Sequence, residues 1–238
     1  MNNGKYLIHI DYLYSAHHDI SRTCCIIIER YIELLTEKDH ALLSVLRNLA
    51  DTADYDGKRR KINSLLTEDA EARIFEIISY AILKNHYKNI RVYFGYSPDD
   101  VKAEELQLFR TGRANANDGG IDFVMRPVGR FFQVTEVGQY DKYLLDIEKV
   151  IHFPITFVIK TNLSGEYVRK GWNDYIRQRS GGMRVIEERY QAAVEEIITI
   201  NELRQWTCDL GDADIDGILR DIDIYYRIEM NLNAGDEE

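Results

Sequence analysis

Apolar residues recur every three to four positions through CCIIIERYIELL and HALLSVLRNLA, so the region from about Ile20 to Leu49 reads as helical. The polar stretch DTADYDGKRRK breaks that pattern. After Thr67, the run EDAEARIFEIISYAILKNHY sets Ile74, Ile77, Ile78, Ala81 and Ile82 on one helical stripe, with acids in the first turns where the helix dipole favours them, and Asn89 ends it. IRVYFGY is β-branched and aromatic and reads as a strand, whereas the following SPDDVKAEELQLFRTGRANAND is polar and reads as loop with some helix. In GGIDFVMRPVGRFFQVTEV two apolar strands flank a Pro-Val-Gly turn. YDKYLLDIEKVIHF returns to helical spacing until Pro154, and ITFVIKT is a compact strand of the buried type. The order is helix, strand, strand, strand, helix, strand. From Trp172 onward the pattern is mainly helical, broken at Ser180-Gly181-Gly182 and again between Asp209 and Gly217.

Composition narrows this picture only slightly. The chain has 238 residues and 45% hydrophobic content, enough for one large domain or a core with helical extensions. A formal net charge of -10 gives no bulk signal for nucleic acid, although a local basic surface works equally well inside an acidic protein. Three cysteines, two of them adjacent at Cys24 and Cys25, make no disulfide framework, and no apolar signal segment precedes them, so a cytoplasmic location is expected. No run approaches the roughly 20 apolar residues of a membrane helix, and no membrane partner is expected.

The hairpin carries the candidate chemistry. Phosphodiester hydrolysis assisted by Mg²⁺ needs oxygen ligands brought close together, because the cation neutralises phosphate charge and lowers the pKa of an attacking water. Asp122 lies on the first hairpin strand, Gln133 to Glu136 lie on the second, and a helix packed alongside offers Glu76. A two-residue turn at Val128-Gly129 pairs Asp122 with Thr135 and keeps Gln133 on its face. A three-residue loop, Pro127-Val128-Gly129, sets Asp122 with Val134 and Glu136 instead.

Phe75-Glu76, DGGIDFV and FFQVTEV, followed by a helix and ITFVIKT, together resemble the PD-(D/E)XK nuclease superfamily, in particular its Mrr-like branch and the type II restriction endonucleases, over roughly Glu71 to Thr161. The resemblance implies a restriction-endonuclease-like α/β fold, a central mixed sheet flanked by helices, with helical N- and C-terminal extensions. It divides the chain into a helical region 1–66, a nuclease core 67–165 and a mainly helical region 166–238. It also implies a metal-dependent endodeoxyribonuclease acting on double-stranded DNA as a homodimer, with Mg²⁺, or Mn²⁺ in its place. Glu76 falls at the family's helix acid, Asp122 at its metal-binding aspartate, and Gln133 at the Glu/Gln position, with Glu136 the other carboxylate on that strand. Thr135 stands where the family has lysine, and a hydroxyl cannot supply that positive charge. Lys142, Lys160, Arg126 and Arg130 are candidates for a relocated cation. A catalytically degenerate member, acting as a nucleic-acid-binding or assembly subunit, is the alternative.

For phosphate contact the sequence offers Arg169, Lys170, Arg177, Arg179, Arg184 and Arg189 around YVRKGWNDYIRQRSGGMR, interleaved with Tyr167, Trp172 and Tyr175, and a loop with Arg110, Arg113 and Asn115. Asp212, Asp214, Asp216 and Gly217 match the start of a calcium loop. Arg220 at position nine and Asp223 at position twelve depart from it, and the acids suit a helix N-terminus, so calcium is not expected there. His17-His18 and Cys24-Cys25 lack zinc-site spacing.

Overall fold

The computed structural model describes residues 8–15, 18–112 and 120–230. The chain divides into two compact units, Met1–Asn48 and Leu49–Glu238. The first holds a short helix α1 (Ile10–Leu13), a two-residue antiparallel pair of β1 (Tyr14–Ser15) with β2 (His18–Asp19), and most of α2 (Ser21–Ala50). Asp19 starts the long helix by accepting a hydrogen bond from the Ser21 amide at 2.9 Å.

The second unit opens with α3 (Tyr55–Leu65), capped by Asp54 accepting from the Gly57 amide at 2.8 Å, and continues into α4 (Ala72–Tyr87). The run RIFEIISYAIL in α4 is apolar almost all round, which suits a helix surrounded by protein. Phe75, Ile77, Ile78, Ala81, Ile82 and Leu83 are accordingly buried. Then come β3 (Arg91–Phe94), β4 (Lys102–Glu105), β5 (Gln107–Arg110), β6 (Phe123–Arg126), β7 (Arg130–Thr135), α5 (Tyr140–Lys149), β8 (Ile155–Ile159), α6 (Gly165–Arg179), α7 (Arg184–Ala193), β9 (Val194–Thr199), α8 (Ile200–Asp209) and α9 (Asp212–Met230).

The architecture is mixed α/β, around a five-stranded sheet of order β5-β6-β7-β8-β9. β5, β6 and β7 form an antiparallel meander, and β7, β8 and β9 run parallel. The parallel pairs require crossovers, which α5 supplies between β7 and β8, and α6 with α7 between β8 and β9. Helices cover both faces, so β8 is buried at every residue and its sequence ITFVI shows no alternation. One face packs on α5 and α6 through Tyr143, Ile147, Phe157 and Trp172. The other faces α4, with the Tyr80 ring 5.3 Å from Phe123 and the Tyr87 ring 6.1 Å from Phe132. At the far end of α4, His86 stacks on Trp206 of α8, centroids 3.9 Å apart.

The predicted order of helix, three strands, helix and strand is present, but its first strand is not IRVYFGY. That segment pairs only with β4, as a separate two-stranded sheet. The meander begins instead at QLFR, inside the stretch read as loop, because Leu108 is the one apolar residue of the four on the inner face, which it shares with the charged Arg110, and one buried apolar residue makes no periodicity. β4, KAEE, is exposed throughout and is held by its ladder to β3 rather than by burial. β9 also escaped the mainly helical reading after Trp172. Its Glu195 and Glu196 suit a helix, yet Ile197, Ile198 and Thr199 complete the sheet edge against β8.

Candidate functional site

The hairpin register decides what Asp122 meets. The closing pair is Met125 with Arg130, and Gly129, at φ 68°, donates its amide to the Met125 carbonyl at 2.9 Å. Neither expected turn length is the observed one. Continuing the Phe123 and Phe132 pairing by one step sets Asp122 opposite Gln133, rather than opposite Thr135 or Val134. The side chains confirm that placement. Gln133 Nε2 donates to Asp122 Oδ2 at 2.8 Å, and the Val134 amide donates to the same oxygen at 2.7 Å. Asp122 thus closes the open end of the hairpin by using its carboxylate where the ladder to β6 has stopped. Gln133 Oε1 is left buried without a hydrogen-bond partner, an acceptor still owed a donor or a cation.

Burial raises the Asp122 carboxyl to about 6, partly offset by the Val134 amide. The Asp146 charge adds to the rise, and Arg110 and Lys149 oppose it. Asp146 was not singled out from the sequence. It lies at a core position of α5, in the i, i+3, i+4, i+7 series Tyr143, Asp146, Ile147, Val150, and it is 6% exposed with Lys149 Nζ 2.8 Å from Oδ1. An acid on the apolar stripe of a short helix was the signal available.

Glu76 is buried on α4, but its charge is already engaged. Arg110 Nη2 lies 3.1 Å from Glu76 Oε1 and 3.4 Å from Glu229 Oε2 of α9, with all three side chains less than a tenth exposed. Burial lifts the Glu76 carboxyl to about 7, the Asp122 charge adds to this, and Arg110 opposes both. α4 packs on the sheet face carrying Phe123 and Phe132, whereas Gln133 alternates to the opposite face. Glu76 therefore approaches this end of the hairpin from the other side of the sheet.

The remaining predicted residues are distributed as follows. Thr135 shares the Gln133 face by alternation, and its carbonyl accepts from the Lys160 amide at 3.0 Å. Glu136, just past β7, pairs with Lys160 Nζ at 3.0 Å, and that ammonium also donates to the Ala70 carbonyl at 2.9 Å. Of the candidate relocated cations, Lys160 is thus committed to Glu136 and Arg130 to Thr156, Glu195 and Glu196. Lys142 and Arg126 are exposed.

Among the described residues no three His, Cys, Asp or Glu side chains gather closely enough to hold a metal. The oxygen donors that come into question there are Asp122, the unpartnered Gln133 Oε1, and the two carboxylates coupled electrostatically to Asp122, Asp146 and the Arg110-paired Glu76. Hard oxygen ligands with one or two carboxylates fit Mg²⁺, which keeps much of its water shell, better than they fit zinc.

The expected phosphate contacts separate into two groups. Arg110 is sealed inside the ion-pair cluster and offers nothing to a surface ligand, a correction to its reading as a loop residue. Strand pairing with β6 turned it inward. Arg113 and Asn115 lie outside the described residues. Arg169 is half-buried and pins α6 to β9 by donating to the Val194 and Glu195 carbonyls at 2.9 and 3.1 Å. Lys170, Arg177, Arg179 and Arg184 are exposed along α6 and α7, with Arg177 3.3 Å from Asp174 and Arg184 2.7 Å from Glu188. Asp212, Asp214 and Asp216 sit in the first turns of α9 and pair with Arg59, Lys88 and Lys58. They brace α9 against α3 and α4. Of the adjacent pairs noted in the sequence, His17 lies outside the described residues and Cys24 and Cys25 are free thiols. No helix among the described residues is long and apolar enough to cross a membrane.

No protein family, no curated protein and no solved structure matches the chain.

Proposed function

We propose that this protein is a Mg²⁺-dependent endonuclease of double-stranded DNA, resembling type II restriction enzymes of the PD-(D/E)XK superfamily. The observation that carries the reading is the Asp122 carboxylate held across the hairpin by Gln133, whose own Oε1 has no partner. Three antiparallel strands followed by a helical crossover to a parallel strand, with α4 behind them, support it as the scaffold expected around such a pair. A bound divalent cation there supplies charge neutralisation for phosphate and an acidified water. Asp122 and Gln133 would hold the cation from the strands, and Asp146 would add a carboxylate from α5. Lys149, whose ammonium sits on Asp146, replaces the positive charge that Thr135 lacks. Lys170, Arg177, Arg179 and Arg184 provide an exposed basic surface for the backbone. Two copies related by a two-fold axis are the simplest way to cut both strands.

A second reading, a nuclease-like scaffold that binds nucleic acid without cutting it, is favoured by one specific contact. Arg110 cancels the charge on Glu76 that the superfamily pattern places at the metal.

A supercoiled-plasmid assay separates the two. Nicking that requires Mg²⁺ or Mn²⁺ and is lost in Asp122→Ala supports the first; duplex binding without cleavage at any metal concentration supports the second. Neither binding nor cleavage overturns both.

A further inference from the structure

The N-terminal unit poses a separate problem. Between Ile8 and Glu37 no described residue is buried, although this stretch is rich in large apolar side chains. An isolated helix gains little stability from propensity alone and depends on packing of its apolar face. On α2 that face is well defined. Ile27, Ile28, Tyr31, Ile32, Leu34 and Leu35 are 43% to 62% exposed. At 100° per residue they fill one arc of roughly 160°. Glu29, Arg30, Glu33 and Glu37 lie on the opposite side, around a single exposed apolar residue, Ile26, and there Arg30 lies 3.0 Å from Glu33 and 3.6 Å from Glu37. The polar side satisfies itself within the helix, and the apolar side does not.

We propose that this stripe is the contact surface for a second copy of the same chain, α2 of one copy lying along α2 of the other. Three observations select that occupant, and none depends on the nuclease reading. The first is spacing. Cys24, Ile28, Tyr31, Leu35, Leu42 and Val45 follow a heptad repeat through three heptads, with Lys38 at one remaining seam position. A period of 3.5 keeps a seam facing another helix over several turns, which a helix resting on an irregular surface does not require. The second is area. Six large residues at about half exposure present on the order of 500–600 Å² when each offers roughly 150–200 Å² in full. That lies at the top of the roughly 300–600 Å² of the largest patch on a typical monomer and approaches the roughly 800 Å² per partner of a stable interface. The third is charge. The polar arc carries Glu29, Glu33 and Glu37 against Arg30, whereas helices that lie on lipid carry Lys and Arg there.

Sedimentation equilibrium of the full chain across the micromolar range tests this. The expected result is a mass of two chains, with dissociation at least about tenfold easier in Ile28→Glu/Leu35→Glu, since central apolar anchors carry most of an interface's energy. Glu33→Ala, on the polar side, should leave the assembly unchanged. If the double variant loses helicity by circular dichroism, the milder Ile28→Ala and Tyr31→Ala must each still weaken association. A monomeric wild type overturns the proposal, because it leaves the stripe to another part of the chain or to a foreign partner. Seam variants that associate like wild type, or Glu33→Ala dissociating as readily as they do, also overturn it.

Discussion

Two charged clusters occupy opposite faces of the same hairpin, and they are built on different terms. On the α4 side, Arg110 lies between Glu76 and Glu229, with each carboxylate within 3.4 Å of its guanidinium. On the α5 side, Asp122 accepts two hydrogen bonds but has no cation in contact among the described residues, and the amide that holds it keeps an orphaned oxygen. The first is closed at its acids, since Arg110 is shared by both carboxylates and Arg73 Nε lies 3.9 Å from Glu229. The second, among the described residues, is short of positive charge. A buried ion pair is weak evidence for stability, since its desolvation rivals its attraction, but removing one member of it is costly. A buried acceptor without a donor is a stronger pointer to an external ligand.

The contrast breaks most visibly at Arg110. Arg110→Ala takes from the buried Glu76 its counter-ion and leaves Arg73, 3.9 Å away, beside Glu229, and is expected to destabilise the fold by about 3–5 kcal/mol at pH 8, measured by urea denaturation. A loss below about 1 kcal/mol would mean that water reaches the cluster. The next effect is on pH dependence. Glu76 holds its proton more tightly in the folded chain, at about 7 against a usual value of 4.5. Its contribution to stability is therefore fully present below about pH 4.5 and is lost as pH rises through 7, a change of about 3 kcal/mol. Glu76→Gln should flatten the fall in stability between pH 5 and 8, leaving a smaller slope centred near 6 from Asp122, whose carboxyl is raised in the same direction. An unchanged profile in this variant would assign the titration elsewhere.

On the open side, Gln133→Leu removes the unpartnered oxygen and one of the two donors to Asp122. Mg²⁺ binding followed by calorimetry should weaken about tenfold, equivalent to about 1.4 kcal/mol. Unaltered affinity would exclude the amide oxygen as a ligand. The smallest effect belongs to the surface: Arg184→Ala breaks an exposed i, i+4 pair with Glu188 and should shift stability by about 0.5 kcal/mol or less. Its influence should appear instead in the salt dependence of duplex binding, and a stability loss much above that figure would make the residue structural.

What the sequence could and could not announce follows from how much of each signal is local. α4, β8 and the hairpin strands were legible because their apolar runs are long or closely bounded. β5 was not, since the two residues that face inward are Leu108 and a charged Arg110, and β4 was not, since its whole stability is a backbone ladder. The encounter of Asp122 with Gln133 was half legible. Both residues were identified, but their register depended on a turn whose length two conformations fitted equally well. The fate of Glu76 was out of reach, because its counter-ion comes from β5 and the second acid from α9, more than a hundred residues away in the chain. Spacing along a helix says which way an acid points, and only the assembled core says what it finds there.

The stacking of His86 on Trp206 gives this chain a built-in optical handle. Its two tryptophans sit in unlike settings: Trp172 is sealed in the core beneath α5, and Trp206 lies flat against an imidazole whose burial lowers its proton affinity. Fluorescence from Trp172 reports on the integrity of the sheet. Quenching of Trp206 reports on the charge of His86, so one emission spectrum followed through an acid titration reads the α4–α8 junction separately from global unfolding.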